Sequence, residues 1–332
     1  MLLNFLLIGC SPNESEVHRP LQLSGNAMTM SYRILIGDKI NNHDIEIIQG
    51  IISSTFDEVN SIYNIWNPES ELTRLNESPG DAWIPLSPEL EELLAITDGL
   101  VSMTHGYFDP TITSAYRLWV EKLKLKTRPN DEEIKQLQGV VGWDKVKIKD
   151  GQFWKSHQDV KIDLGGIAKG YCVDLLTERL IKRGFKNCYV EWGGEIRASG
   201  KHPEQRPWTV FISNLADTDP NHALAVVSLK EEALATSGDY LQQWTLEESD
   251  GSCFTYTHVI DPKSLTPIKV TQYNICSTTV KAKTCTEADA LATAAMIYPS
   301  VAEAEKWTNQ LREITENTEF WFVTRSELSN LR

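Results

Sequence analysis

The residues best placed by type and spacing to do chemistry run Asp163-Leu164-Gly165-Gly166-Ile167-Ala168-Lys169-Gly170-Tyr171. An acid, two glycines and a lysine fall where an apolar run (Val160 to Ile162), read as a strand, gives way to a helical one (Ile167 to Arg183). Glycines let a ligand come close to the backbone. A helix start offers unpaired N–H groups at the positive end of its dipole. With Lys169 in the first turn, the unit suits a phosphate or pyrophosphate. A tight strand-to-helix turn with a solvated lysine is the alternative. Neither G-x-x-x-x-G-K-S/T nor G-x-G-x-x-G is present, so the unit is not a Walker loop or a dinucleotide fingerprint.

Asp289 and Thr293 stand four apart in Thr286-Glu287-Ala288-Asp289-Ala290-Leu291-Ala292-Thr293-Ala294-Ala295. On a helix both oxygens share one face. The small apolar neighbours predict burial, and a buried carboxylate needs a partner. A hard cation such as Mg²⁺ would supply it; an acid in the first turn with a back-bonded threonine is the plainer reading. In His258-Val259-Ile260-Asp261-Pro262, alternation points His258 and Ile260 one way and Asp261 the other. His258 could orient a phosphate or act as acid–base, or serve only as a structural hydrogen-bonder. The loop Gly106-Tyr107-Phe108-Asp109-Pro110-Thr111 could stack a flavin or adenine ring, or plug the core. The turn around Ser237 (Ala235 to Tyr240) could bind a phosphate through its hydroxyls, or simply shape the chain.

These groups must be positioned by a mixed set of elements. Met30 to Ile36 alternates as a strand. Apolar residues recur at helical spacing over Asp44 to Ile62, and Ser87-Pro88 opens a helix to Met103. Asp131 to Leu137 is a shorter helix, and Ser70 to Asn76 a short exposed element. Short strands are expected over 146–162, 187–211, 223–236, 253–260, 275–280 and 320–324. Helices are expected from about Thr286 to Ile297 and from Val301 to Leu311. The irregular mixture predicts an α+β fold in one domain, 26–332.

A hydrophobic share of 41% and a charged share of 23% fit a globular chain with a real core. A formal charge of −14 argues against nucleic acid as a partner, while a polyanionic small molecule needs local help from N–H groups, a lysine or a metal. Met1 to Gly9 is almost wholly apolar and ends Leu7-Ile8-Gly9-Cys10, which resembles a bacterial lipobox with Cys10 as the acylated residue. Residues 1–10 are then a lipoprotein signal segment and 11–25 a polar tether; a frayed apolar end with a chance cysteine is the alternative. The other five cysteines contain no C-x-x-C pair, so neither a zinc site nor a dense disulfide framework is expected.

The order D-L-G-G-I-A-K-G-Y, W-G-G-E-I-R-A-S-G, A-T-S-G-D-Y, H-V-I-D-P and E-A-D-A-L-A-T-A, preceded by Y-N-I-W-N-P-E-S-E-L-T-R-L-N and F-D-P-T-I, resembles the ApbE family of FAD:protein FMN transferases over roughly residues 26–325. The resemblance implies a single domain of mixed sheets with packed helices, similar to the tunnelling fold. It implies FAD as substrate and Mg²⁺ held by the Gly166 carbonyl, Asp289 and Thr293. It places Asp163 and Lys169 on FAD, and Met28, Tyr107, Phe108, Asp109 and Ile260 around the flavin or adenine. Relatives usually carry alanine at Gly166, some carry a second acid at Ala292, and many read Met-Gly-Thr where this chain has Met28-Thr29-Met30. The implied acceptor is a periplasm-facing flavoprotein subunit of quinone reductase or Rnf type, with a threonine in a motif like Asp-Gly-x-(Ser/Ala)-Gly-Ala-Thr. That location agrees with a lipid anchor on the periplasmic side of the inner membrane. A hydrolase splitting FAD to FMN and AMP, or a flavin-storing lipoprotein, is the alternative.

Overall fold

A computed structural model describes residues 19–213, 219–239, 242–247, 251–315 and 317–326. Cys10 and the expected signal segment lie outside the described residues. Leu21–Ala27 (β1) pairs antiparallel with Met30–Ile36 (β2), leaving only Met28 and Thr29 in the turn. Both take positive φ, 47° and 69°. A two-residue turn of this kind is easiest for glycine or asparagine, and β-branched Thr29 adopts it under strain. Residues 21–25, expected as tether, are therefore strand: the half-buried positions alternate with exposed ones, as a pleated edge requires.

Asn42–Ile62 (α1) starts at a capping box made by Asn41 and Asp44. Glu71–Glu77 (α2), Trp83–Pro85 (β3) and Pro88–Met103 (α3) follow. α2 is not merely exposed: Leu72 and Leu75 are buried. Thr113–Lys124 (α4) had no counterpart in the expected elements, although Ala115, Trp119 and Leu123 form a buried stripe at a spacing of four. Asp131–Val140 (α5), Val146–Lys149 (β4) and Gln152–Lys155 (β5) lead to Ala168–Lys182 (α6). Then come Cys188–Trp192 (β6), Glu195–Ser199 (β7), Trp208–Ile212 (β8), Ala225–Leu229 (β9), Ala233–Gly238 (β10), Gln243–Glu247 (β11), Cys253–Asp261 (β12), Thr266–Lys269 (β13) and Ile275–Ala282 (β14). Cys285–Ala295 (α7), Val301–Leu311 (α8) and Glu319–Thr324 (β15) complete the order.

The centre is an antiparallel seven-stranded sheet, β1-β2-β6-β7-β10-β14-β15. Together with the packed helices, it is the α+β architecture that the sequence predicts. Side-chain alternation divides the sheet's faces. Cys188, Val190 and Trp192 of β6 join the main core with α1, α6 and α7, whereas Tyr189 packs with Trp208 and Leu229 of the β8–β9 hairpin. A smaller core lies apart, where α4 and α5 meet the β11-β12-β13 sheet around Trp119, Leu137, Tyr256 and Ile260.

Two residues of α6 fix it against α7. A Cβ at Gly170 would lie 2.3 Å from the Cys285 carbonyl oxygen, so only glycine allows this approach. One turn later, the Asp174 carboxylate caps α7, accepting from Cys285 N (2.9 Å), Thr286 N (2.8 Å) and Thr286 Oγ1 (2.5 Å). Arg197 of β7 donates to Asp174 at 2.8 Å and balances its buried charge. The described cysteines form no disulfide, and all but Cys253 are buried. No helix among the described residues is long and apolar enough to cross a membrane.

Candidate active site

Between the α6–α7 wall and the smaller core runs a cleft of about 500 Å³, within the range of small-molecule sites. It gathers Tyr107, Phe108, Asp109, Asp163, Gly166, Lys169, Ser237, His258, Ile260, Asp289 and Thr293 from five separate chain segments. The approach to α6 is not a strand, as expected for Val160 to Ile162, but extended chain. The Asn76 side chain stands in for a neighbouring strand: its Nδ2 donates to Ile162 O (2.8 Å) and its Oδ1 accepts from Ile162 N (2.7 Å). Buried Lys155 donates to the carbonyls of Asn76, Gln158 and Val160, and burial lowers its pKa to about 8. Neither role of Asn76 or Lys155 was foreseen, because both spend their polar atoms on distant backbone.

Ile167 supplies no side-chain cap to α6. Its third N–H, from Gly170, instead donates to Asp289 Oδ2 at 3.1 Å. Asp289 is 2% exposed and finds its compensating charge in Lys169, whose Nζ lies 3.4 and 3.5 Å from the two carboxylate oxygens. Lys169 Nζ donates more closely to Glu195 Oε1. Burial alone would lower the Lys169 pKa, but the carboxylates of Asp289 and Glu195 outweigh it and hold the ammonium above its ordinary value. Burial raises the Glu195 pKa despite that ammonium. Burial likewise raises the Asp163 pKa, against the pull of a 2.8 Å hydrogen bond that Gly165 N donates to its carboxylate.

Thr293 lies one turn after Asp289 on the same face of α7, as the spacing predicts, and Thr293 Oγ1 is 3.3 Å from Ser237 Oγ of β10. A Cβ at Gly166 would stand 3.0 Å from Thr293 Oγ1, so that backbone and that hydroxyl are close neighbours. Carboxylate, hydroxyl and backbone oxygen make a hard donor set that could hold a cation such as Mg²⁺. No group of three or more His, Cys, Asp or Glu among the described residues could do so.

Aromatic side chains of the main core line the cleft beside Gly166. Tyr107 packs against Tyr298 with ring centroids 5.1 Å apart, and Phe108 is buried. Asp109 lines the cleft, but its Oδ1 is engaged locally, accepting from Thr111 N (2.8 Å) and Thr111 Oγ1 (2.7 Å). Strict alternation fails in β12: the register with β13 shifts between Tyr256 and Ile260, and Val259 joins His258 and Ile260 in lining the cleft. Bulges of this kind re-aim side chains beside sites. His258 Nδ1 is buried without a hydrogen-bond partner. Burial lowers the His258 pKa, against a hydrogen bond with the Gln242 backbone, so the ring is neutral near pH 7.

Met28 is not brought into this cleft. Its turn lines a separate groove of about 450 Å³ between the β1–β2 hairpin and α1. Among the lining and supporting residues that the sequence did not single out, two stand out. Trp66, 86% exposed, lines the cleft from the α1–α2 connection. Glu195 is quoted only within W-G-G-E, and no local signal marks it as buried.

The model of the ApbE family matches residues 28–317. The FAD:protein FMN transferase of Chlamydia pneumoniae is 36% identical over 313 residues, covering 94% of this chain and 95% of the relative. The crystal structure of the ApbE protein from Thermotoga maritima aligns with a TM-score of 0.76 and 26% identity, over 94% of this chain and 99% of its own. The apo flavinyl transferase ApbE of Pseudomonas stutzeri shares the fold, with a TM-score of 0.76 and 24% identity over 92% and 91% of the two chains. With a family match over most of its length and a relative above 30% identity across nearly all of it, the chain belongs to the ApbE family.

Proposed function

We propose that this transferase is a Mg²⁺-dependent FAD:protein FMN transferase, which cleaves FAD at its pyrophosphate and joins FMN through its phosphate to a protein threonine, releasing AMP. The observation that carries the reading is one cleft that brings an ammonium, a buried carboxylate and the start of α6 together with aromatic rings. The polar groups suit a pyrophosphate; the rings suit flavin or adenine. Asp289, Thr293 and the Gly166 carbonyl would hold Mg²⁺. Bound there, the ion neutralises pyrophosphate charge and makes AMP a better leaving group.

The chain's own residues do the rest. Lys169 and the start of α6 orient the phosphates, and the Tyr107-Phe108 loop fixes the ring. His258, neutral and with an unpartnered Nδ1, takes the proton as the threonine oxygen bonds to the FMN phosphorus. The phosphorus–oxygen bond to AMP breaks, and AMP leaves with that electron pair. We assign as acceptors periplasm-facing flavoprotein subunits of quinone reductase or Rnf type with an Asp-Gly-x-(Ser/Ala)-Gly-Ala-Thr-like motif. Cys10 then carries the lipid anchor that keeps the domain on that side of the inner membrane.

The test is to incubate the protein with FAD, Mg²⁺ and an acceptor fragment, then denature it and weigh the acceptor by mass spectrometry. An FMN adduct on the threonine is expected. FMN and AMP without an adduct would make the protein a hydrolase, and FAD retained intact would make it a storage protein.

A further inference from the structure

Glu195 is the charged group of this wall without an assigned task. It opens β7 directly after Gly193 and Gly194, whose φ values of 63° and 103° make the turn, and it is 2% exposed. Its Oε1 accepts from Lys169 Nζ, whereas Oε2 is buried and receives no hydrogen bond. A bare carboxylate oxygen in that setting is destabilising unless its charge is put to use.

Lys169 divides unequally between two acids. It donates closely to Glu195 but stands 3.4 Å from Asp289 Oδ1 and 3.5 Å from Oδ2. Oδ2 already accepts from Gly170 N, so Oδ1 is left with only the long ammonium contact. The Lys169 ammonium is already within reach of both Asp289 oxygens. With no competing acid, the ammonium would close on Asp289 as an ordinary buried ion pair and stand where a divalent cation has to bind.

We infer that Glu195 is a positioning residue that holds the Lys169 ammonium off Asp289 and so keeps Asp289 open to the metal. Glu195 is set back on the sheet by a turn of two glycines, and it pulls the ammonium to its own side of the cleft. Lys169 then stays charged and directed at the phosphates while Asp289 binds the ion. The inference rests on the Mg²⁺ reading above.

Calorimetric titration of Mg²⁺ into the full chain without FAD tests it, because the readout is metal uptake rather than turnover. Glu195→Asp keeps the charge but withdraws the carboxylate by one methylene. We expect its Mg²⁺ dissociation constant to rise about tenfold, and Lys169→Met in the same chain to cancel most of that rise. Glu195→Gln, nearly isosteric, gives the same comparison if the shorter side chain unfolds the protein. Wild-type Mg²⁺ affinity in Glu195→Asp overturns the inference. So does a loss of equal size with and without Lys169, which would mean that Glu195 acts on the metal site by a route other than Lys169. If the wild-type protein takes up no Mg²⁺ while Glu195→Asp matches it in every other respect, the metal reading itself falls.

Discussion

The two walls of the cleft are built differently. On the sheet side, α6 and α7 are locked by Gly170 and Asp174, and Asp289, Asp174 and Lys169 all have partners. Across the cleft, the smaller core of α4, α5 and β11–β13 presents a bulged strand and a histidine whose Nδ1 has no partner. The first wall is preorganised for charge, so little has to move when a polyanion arrives. Each wall keeps one buried basic atom without a partner, Glu195 Oε2 on the first and His258 Nδ1 on the second, and in the proposed mechanism only the histidine receives a proton.

The comparison is broken most severely on the preorganised side. Asp289→Ala should lower Mg²⁺-dependent transfer on the order of a thousandfold, because several kcal/mol of transition-state charge stabilisation disappear with the ion. FAD binding followed by flavin fluorescence should fall far less; an unchanged rate would remove Asp289 from the metal site. Across the cleft, His258→Gln should reduce kcat roughly a hundredfold with little change in the KM for FAD. The pH profile sharpens this. Burial lowers the His258 pKa, and a base works only when deprotonated, so the wild-type rate should rise through a limb below the ordinary histidine value and be flat at neutral pH and above. A His258→Gln variant that retains the limb would assign the proton transfer elsewhere.

The smallest effect tests the lock itself. Gly170→Ala drives a methyl against the Cys285 carbonyl and should destabilise the fold by about 1–3 kcal/mol, the usual range for overpacking. A thermal melt checks this, and a melting temperature equal to wild type would show that α6 and α7 separate without penalty.

Local patterns carried part of this site. The Asp289–Thr293 spacing and the strength of the Asp163–Lys169 unit depend on residues close in sequence, and helical periodicity is a local property. Other parts depend on partners far along the chain. Asn76 substitutes for a strand beside residue 162, 86 positions away, and hydrogen bonds of that kind leave no periodic trace. Glu195 meets Lys169 only once β7 lies under α6. The β12 bulge breaks the alternation used to aim His258, and α4 hides its core stripe among polar neighbours. Met28 fails for another reason: its turn closes the first hairpin on the α1 side, which a family pattern cannot orient.

The contact between Gly170 and Cys285 bears on how this protein could be redesigned. Lys169 is the neighbour of that glycine, Asp174 follows one turn later, and Asp289 begins the next turn of the opposing helix. A library that varies these helices would change alignment, charge and stability in one stroke, and most of its members would be lost before any new activity could be seen. Variation confined to Trp66, Tyr116, Val259 and Ile260, which line the cleft away from that junction, leaves the junction untouched. Selection for altered flavin analogues or acceptor sequences should therefore begin there.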